Sequence, residues 1–555
     1  MPVVIKAYTS PTLVLLAFDW AGGANRNDFL GFAIKRVPGF GNQPESWLPN
    51  RIDFNGPAPD GSDKPSARAP IQKFMWWDAR IDTKDRGKTF DYRITPVVGT
   101  PASLQLLDGQ AAMLTVPIPN LEEGGVGTYF NRAVMSSQAF ARQFPQLETL
   151  KQIRASFAWL ANGLEAAVPS FLDRAQKDGH EVAGAIYHFN DDVWLIPAFS
   201  GFKKGALALA YNSRPDDKES DEAIGELVAA GHPAQNFKKR TKANISHNKF
   251  LVARKGVQPR RLLMGSANFT SAGLTRQANV LHSFDSPALA KLYQARYQLL
   301  KADTAMKDLK PLAQWSDPVT DIPGAEIRAL FSPEKKPSRV AIGRMIDSIQ
   351  AAESSVVFCC FMPTDLPLIN ACLEAGDAGK MMFGLVDNAK EPGENASAFE
   401  SKIALYHRSR DNKDVAGKEA FSGDAVPFGF SREREGFPGE DPRRAVRIHH
   451  KFVLIDAETA DPILYTGSAN FSNNSQYEND ENILEIIGHQ GLAKAYLAEF
   501  LRLYEHYRAR LAFVRAQEQG PAQTTFKLTP NASWAKKYFT PGRPEEKSRR
   551  AMIGD

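Results

Sequence analysis

One motif is written twice in this chain, and any fold the chain adopts has to accommodate both copies. His247-Asn-Lys-Phe-Leu-Val is followed, eighteen residues after its histidine, by Gly265-Ser-Ala-Asn-Phe-Thr. His449-His-Lys-Phe-Val-Leu is followed at the same interval by Gly467-Ser-Ala-Asn-Phe-Ser. The stretches 247–270 and 449–472 align without a gap, and nine of their 24 positions are identical. Shared spacing together with shared residue types points to a duplicated half-site.

The flanks repeat too. Leu150–Asn162 and Leu164–Ala175 carry apolar residues at helical spacing, Val182–Asn190 reads as a buried strand, Val193–Lys204 as a short connection and Ala206–Asn212 as a strand. Before the second copy come a helix over Val340–Ala352, a strand over Ser355–Met362, a helix over Leu366–Ala378 and a strand over Met381–Asn388. The motifs themselves fall on strand pairs, Phe250–Ala253 with Arg261–Met264 and Phe452–Asp456 with Ile463–Thr466. Near-continuous apolar strands between helices predict sheets covered on both faces. The expected fold class is therefore α/β, with two pseudo-symmetric halves whose mixed, largely parallel sheets share one active site.

A chain of 555 residues exceeds the roughly 250–300 residues that one core supports. Residues 1–120 read as a small all-β sandwich-like domain. Leu13–Trp20, Phe29–Lys35, Phe74–Asp78 and Phe90–Val98 are strand-like runs between Gly-, Pro- and Asp-rich turns. The halves are expected at 121–318 and 319–515, and a C-terminal tail at 516–555 whose Trp534, Tyr538 and Phe539 suggest docking. A long insertion between Asn388 and Val446, with Phe421, Phe428 and Phe430 along it, leads into His449 and is expected near the mouth of the site.

Cys359, Cys360 and Cys372 lack metal-ligand spacing, and the first two sit in an apolar run, so neither a disulfide framework nor a zinc site is expected. The N-terminus shows no leader pattern, and no apolar run approaches the ~20 residues of a membrane helix. A cytoplasmic location is the expectation. The formal charge of +5 permits an anionic substrate without identifying one.

His247 and Lys249, like His449 and Lys451, are two apart and share a face of an extended strand. Imidazole serves as nucleophile or proton carrier, and the ammonium is a fixed cation beside it. Asn268 and Asn470 offer amides after a Gly-Ser turn, with Ser266 and Ser468 as hydroxyls. Two such half-sites around one pocket suit a phosphodiester: one histidine attacks phosphorus, the other protonates the leaving oxygen, and lysines and asparagines hold the remaining oxygens. No cofactor or metal is required. His450 points to the opposite face and is read as structural, and His188 and His407 follow no pattern.

These motifs resemble the phospholipase D superfamily, whose pattern is His-x-Lys-x4-Asp followed by Gly-Gly/Ser-x-Asn. The second copy matches at His449, Lys451, Asp456, Gly467, Ser468 and Asn470. The first matches at His247, Lys249, Gly265, Ser266 and Asn268 but has Arg254 in place of the acid. Lying an odd step from Lys249, Arg254 is expected to affect packing or substrate charge and not the chemical step. The resemblance covers about 150–510 and implies one shared site, a phosphohistidine intermediate, and His247 as nucleophile with His449 as general acid and base. Supporting roles go to Ser266, Ser468, Asp456 and Glu481. A second, slighter resemblance links Tyr92–Val98 to fibronectin type III domains.

Two substrates stay open. Tyr477-Glu-Asn-Asp-Glu-Asn looks like the Asn-x-Glu-Asn run of small nuclease-type members, and Lys238-Lys-Arg-Thr-Lys242 is the best basic cluster. A phospholipid would require peripheral membrane contact, for which the insertion or the tail is the candidate. Phospholipase D-like action on phospholipid, by hydrolysis or transfer, is the first reading. A metal-independent nuclease is the alternative, and a silent binding scaffold a third. Two motifs in one chain allow a monomer to build a complete site.

Overall fold

A computed structural model describes residues 1–214, 218–387, 402–407, 409–417, 426, 430–434, 436–439, 446–520 and 526–554. Two eight-stranded sheets dominate it. The first runs, edge to edge, through Glu122–Glu123, Val126–Phe130, Val280–Phe284, Gln258–Gly265, Phe250–Lys255, Glu181–Ile186, Leu207–Asn212 and Phe237–Arg240. The second runs through Glu326–Phe331, Asn482–Ile487, Ile463–Gly467, Lys451–Ile455, Ser355–Phe361, Met381–Asp387, Ile403–His407 and Ser409–Ala416. In each, the two motif strands lie side by side at the centre.

The sheets are mixed, but the expectation that they are largely parallel is corrected. In the first sheet the parallel pairs are Glu181–Ile186 with Leu207–Asn212, and the latter with Phe237–Arg240. In the second the one parallel pair is Ser355–Phe361 with Met381–Asp387. The motif strands form antiparallel hairpins, since a connection of a few residues cannot carry the chain back for a parallel return. Continuous apolar strands reported burial on both faces, which does not depend on the direction of the neighbouring strand. Elements not assigned from the sequence include helix Leu195–Gly201, inside the supposed connection 193–204, helices Lys218–Ala229, Pro287–Lys301 and Gln490–Glu518, and strands Val280–Phe284 and Glu326–Phe331. Part of the insertion, Ile403–Ala416, is a hairpin that extends the second sheet; Phe421 and Phe428 lie outside the described residues.

The helix Gln490–Glu518 ties the molecule together. It buries residues around most of its circumference, as a helix enclosed by other elements must. Tyr496 Oη lies 2.8 Å from His282 Nε2 of one sheet and 2.9 Å from Thr466 Oγ1 of the other. Glu499 accepts hydrogen bonds from Ser10 and Thr12 of the N-terminal hairpin Val4–Ser10/Leu13–Asp19. That hairpin and Met75–Asp78 make a three-stranded antiparallel sheet, beside a five-stranded antiparallel one built on Phe29–Val37 and Thr89–Thr100. Phe18, Phe32, Ile34 and Tyr92 share their core. Trp534 near the C-terminus enters the same core, its indole N–H donating to Phe29 O at 3.0 Å.

The motif glycines are required by close approach. A Cβ on Gly265 would lie 2.2 Å from Val280 O, and one on Gly467 2.2 Å from Asn482 O. Gly343, on helix Val340–Gln350, has open space instead. Gly467→Ala should therefore lower stability by about 3 kcal/mol, and Gly343→Ala should raise it by about 1 kcal/mol. Thermal melting of the two variants beside the parent checks both signs.

Candidate active site

Both histidines enter the site from the ends of central strands, on backbone pinned by the residue that closes a neighbouring strand. The Ser246 N–H donates to Asn212 Oδ1 at 3.1 Å, and the Arg447 and Ile448 N–H groups donate to the Asp387 carboxylate at 2.7 and 2.8 Å. Each histidine is then held by the other copy of the motif. The His247 N–H donates to Asp480 O at 2.9 Å, and the His449 N–H to Ala278 O at 3.0 Å. The side chains cross in the same way: His247 Nδ1 lies 2.6 Å from the Glu481 carboxylate, and His449 Nδ1 lies 2.9 Å from Asn279 Oδ1.

Asn279 and Glu481 are equivalent positions, each 32 residues beyond its own copy's histidine. Asn279 escaped the sequence reading because the aligned stretches stop at 270 and 472; carrying the alignment fourteen residues past each motif glycine would have paired it with Glu481. The orientation of its amide follows from its donors. Nδ2 donates to Gly273 O at 2.8 Å, so Oδ1 receives Ser266 Oγ at 2.9 Å and the imidazole N–H. Asn131 clamps this turn, accepting the Asn279 N–H at 3.0 Å and donating to Leu274 O and Gln277 O. Glu481 receives Ser468 Oγ at 2.8 Å, Ser475 Oγ at 3.0 Å and Asn479 Nδ2 at 3.2 Å. A carboxylate or an amide oxygen only accepts, so both imidazoles carry their proton on Nδ1 and present Nε2 to the site.

The lysines share the histidine faces. Lys249 Nζ lies 5.0 Å from the Tyr187 ring centre and the His247 ring 4.8 Å from it. Lys451 and His449 lie 5.2 and 5.1 Å from Phe361. Tyr187, just after strand Glu181–Ile186, and Phe361, at the end of strand Ser355–Phe361, had no signal in the motifs. Each ammonium also donates to its own histidine's carbonyl, at 2.6 and 2.5 Å.

Burial sets the electrostatics. It pushes His247 down to about 4 against the pull of Glu481, and Lys249 down to about 7. Burial and then Lys249 hold Lys451 well below the ordinary lysine value, and burial with Lys451 and Lys249 does the same to His449. Burial also opposes charge on Glu481, yet His247 and Lys249 keep it below the usual carboxylate range. The charged groups of the two copies thus act on one another as a single cluster. With both lysines protonated, that cluster holds two cations and one carboxylate. Asn268 Oδ1 and Asn470 Oδ1 are buried without a protein hydrogen bond, so neither motif amide is fully engaged by the protein. Among the described residues no group of three or more His, Cys, Asp or Glu is placed to hold a metal ion.

Two sequence-selected residues stand apart. Asp456 accepts from the backbone N–H groups of Glu353, Ser354 and Ser355 at 2.9, 2.7 and 2.9 Å. It therefore fixes the turn entering Ser355–Phe361 at the strand ends remote from His449. Arg254, at the equivalent place, pairs with Glu181 and donates to Gly256 O at 2.9 Å. His450 sits on the other face between Phe130 and Phe452.

Residues 345–504 match the family model described as "Cardiolipin synthase, PLD-like domain", which shows the resemblance to the phospholipase D superfamily over that stretch. No curated protein matches the sequence. Among solved structures, phosphatidylserine synthase from Haemophilus influenzae is 10% identical over 70% of this chain and 94% of its own, with a TM-score of 0.38. The phospholipase D family member Nuc from Salmonella typhimurium is 17% identical over 34% and 93%, TM-score 0.20. Polyphosphate kinase from Porphyromonas gingivalis is 12% identical over 69% of this chain but 52%, about half, of its own length, TM-score 0.37.

The buried imidazoles imply a pH dependence of stability. Burial depresses His247 and His282 to about 4 and His450 and His506 to about 3, whereas the unfolded chain takes up these protons near 6.5. Groups depressed on folding contribute stability above the unfolded value and lose it as pH falls toward the folded one. The melting temperature should fall between pH 7 and pH 5; an unchanged midpoint over that interval refutes the neutral assignment.

Proposed function

We propose that this protein is a phosphodiesterase of the phospholipase D kind, acting on a phospholipid through a covalent phosphohistidine. The carrying observation is the cluster of two buried lysines and one carboxylate, for which a singly charged phosphodiester is the matching counter-ion. His247 Nε2 attacks phosphorus, forming the P–N bond while the P–O bond to the leaving group breaks. The Nδ1–H···Glu481 contact offsets the positive charge that develops on the ring. His449 Nε2, protonated as the anionic substrate enters, delivers its proton to the leaving oxygen. Lys249, Lys451, Asn268 and Asn470 hold the non-bridging oxygens. A water or alcohol then attacks phosphorus, His449 takes its proton, and the P–N bond breaks to return His247.

The two halves are read as duplicates that build one site, preceded by a sandwich-like N-terminal unit. One chain supplies both histidines, both lysines and both acceptors. For the lipid, the family description of residues 345–504 is the support. Against the nucleic-acid reading, two of the four cations in its main basic cluster are spent on internal pairing. Arg240 is fully buried against Asp480 and Asp303, and Lys239 pairs with Asp221 at 2.9 Å. The Glu481 run once read as nuclease-like is accounted for by its contact with His247, which any substrate would need. Among the described residues no helix is long and apolar enough to cross a membrane, so a lipid would be met at a membrane surface.

Purified protein assayed with EDTA present against phosphatidylglycerol and phosphatidylcholine vesicles, DNA and RNA tests the substrate. Headgroup release or transfer to added alcohol is expected, and cleavage of nucleic acid alone overturns the lipid assignment. His449→Ala should slow turnover of a diester with an alkoxide leaving group by about 10²–10⁴. Parent enzyme denatured at alkaline pH, where a phosphoramidate survives, should carry the phosphatidyl group on His247; an adduct that survives His247→Ala but not His449→Ala reverses the two roles.

A further inference from the structure

A cleft of about 550 Å³ lies apart from the histidines, where the N-terminal sheets, the segment 132–143 and the helix Gln490–Glu518 meet. Its size falls within the ~300–1,000 Å³ of small-molecule sites. The residues lining it include Arg80, Arg132, Arg142, Trp159, Glu499 and Arg502.

Its positive charge is under-compensated. Arg132 stacks on Trp159 at 4.4 Å and donates one bond, to Trp159 O at 3.3 Å, with no carboxylate in ion-pair range among the described residues. A guanidinium has five N–H donors, so most of its donors remain for the cleft that it lines. Burial, with Arg502 beside it, pushes its ionisation down to about 10, although Asp82 and Glu499 act in the opposite direction. Arg80 and Arg142, which also line it, share the single carboxylate Asp63 with Arg51. Three acidic side chains line the cleft: Glu499 receives Ser10, Thr12 and Arg502, Asp85 accepts the Asp82 N–H at 3.0 Å, and Asp82 N-caps the turn Thr83–Asp85.

We propose that this cleft is a second binding site, taking a small phosphate monoester whose dianion is held by Arg132 and Arg502, with Arg80 and Arg142 at its rim. Forked guanidinium donors match phosphate oxygens in pairs, and a dianion supplies the charge that the arginines lack. The ligand class follows from this cleft alone and does not depend on the reaction proposed above. The cleft is nevertheless wired to that site: Arg502 donates to the carbonyls of Arg132 and Asn131 at 3.2 and 3.4 Å, and the Asn131 side chain holds Asn279 against His449.

Calorimetric titration with glycerol 3-phosphate tests the proposal on parent protein, Arg132→Gln and Lys451→Met. Two binding events are expected in the parent. Arg132→Gln should weaken one of them about tenfold or more, the scale of a lost charged hydrogen bond, and Lys451→Met should remove the other. Identical titrations of parent and Arg132→Gln overturn the proposal, as does a single event lost in Lys451→Met alone. A single event lost in Arg132→Gln supports the cleft while counting against the reaction. Should Arg132→Gln not fold, Arg142→Gln, whose side chain is 38% exposed, replaces it; it should weaken the cleft event about threefold or more, and unchanged affinity overturns the proposal.

Discussion

The hydrogen bond from His247 to Glu481 joins residues 234 positions apart, and the organisation of the molecule follows from making that contact and its mirror at once. Neither copy of the motif orients its own histidine. Each takes a backbone acceptor and a side-chain acceptor from the other, so the two sheets must come together at the ends of their interior strands. The short pairing of Ile245–Ser246 with Asn479–Asp480 and the bridge between Ala278 and Ile448 are the backbone expression of that exchange. The long helix beneath, bonded through Tyr496 to both sheets, keeps the halves in register.

The exchange is not even. His247 faces a carboxylate and His449 an amide. Asp480, whose carbonyl holds the His247 backbone, has its own carboxylate gripped by Arg240 at 2.7 Å and Arg296 at 3.1 Å, all three buried. Its equivalent, Ala278, has no such anchor. A buried ion pair contributes less to net stability than to fixing one geometry, because removing a partner strands the other charge. The carboxylate side is therefore the better able to balance a cationic ring, which fits the nucleophilic role proposed for His247.

Much of this was legible. Periodicity placed the four helices and the strands that lead into the two motifs but not the long helix Gln490–Glu518, and the repeated spacing selected the histidines, lysines and motif asparagines. Three kinds of residue were not. Asn279 differs in type from Glu481, so identity could not pair them. Tyr187 and Phe361 merely sit where buried strands end. Asn131 acts on a turn nearly 150 positions away. Strand direction was misjudged because apolar runs record burial on both faces and not the sense of the neighbour. The acid of the motif at Asp456, and Arg254 in its place, act on strand-entry turns, which explains how one copy can dispense with it.

The sequence by itself determined that one motif occurs twice at a fixed spacing, and which side chains each copy carries. Those are local properties, set by residue type and by the two-residue repeat of a strand. Only the tertiary structure decided which acceptor serves which histidine, because the partners come from opposite copies and sequence distance carries no information about that crossing. It also decided that the basic run at Lys238–Lys242 is partly spent on internal ion pairs, and that arginines from distant segments gather in a second cleft. Charge compensation depends on who is near in space, and that is settled when the halves close on each other.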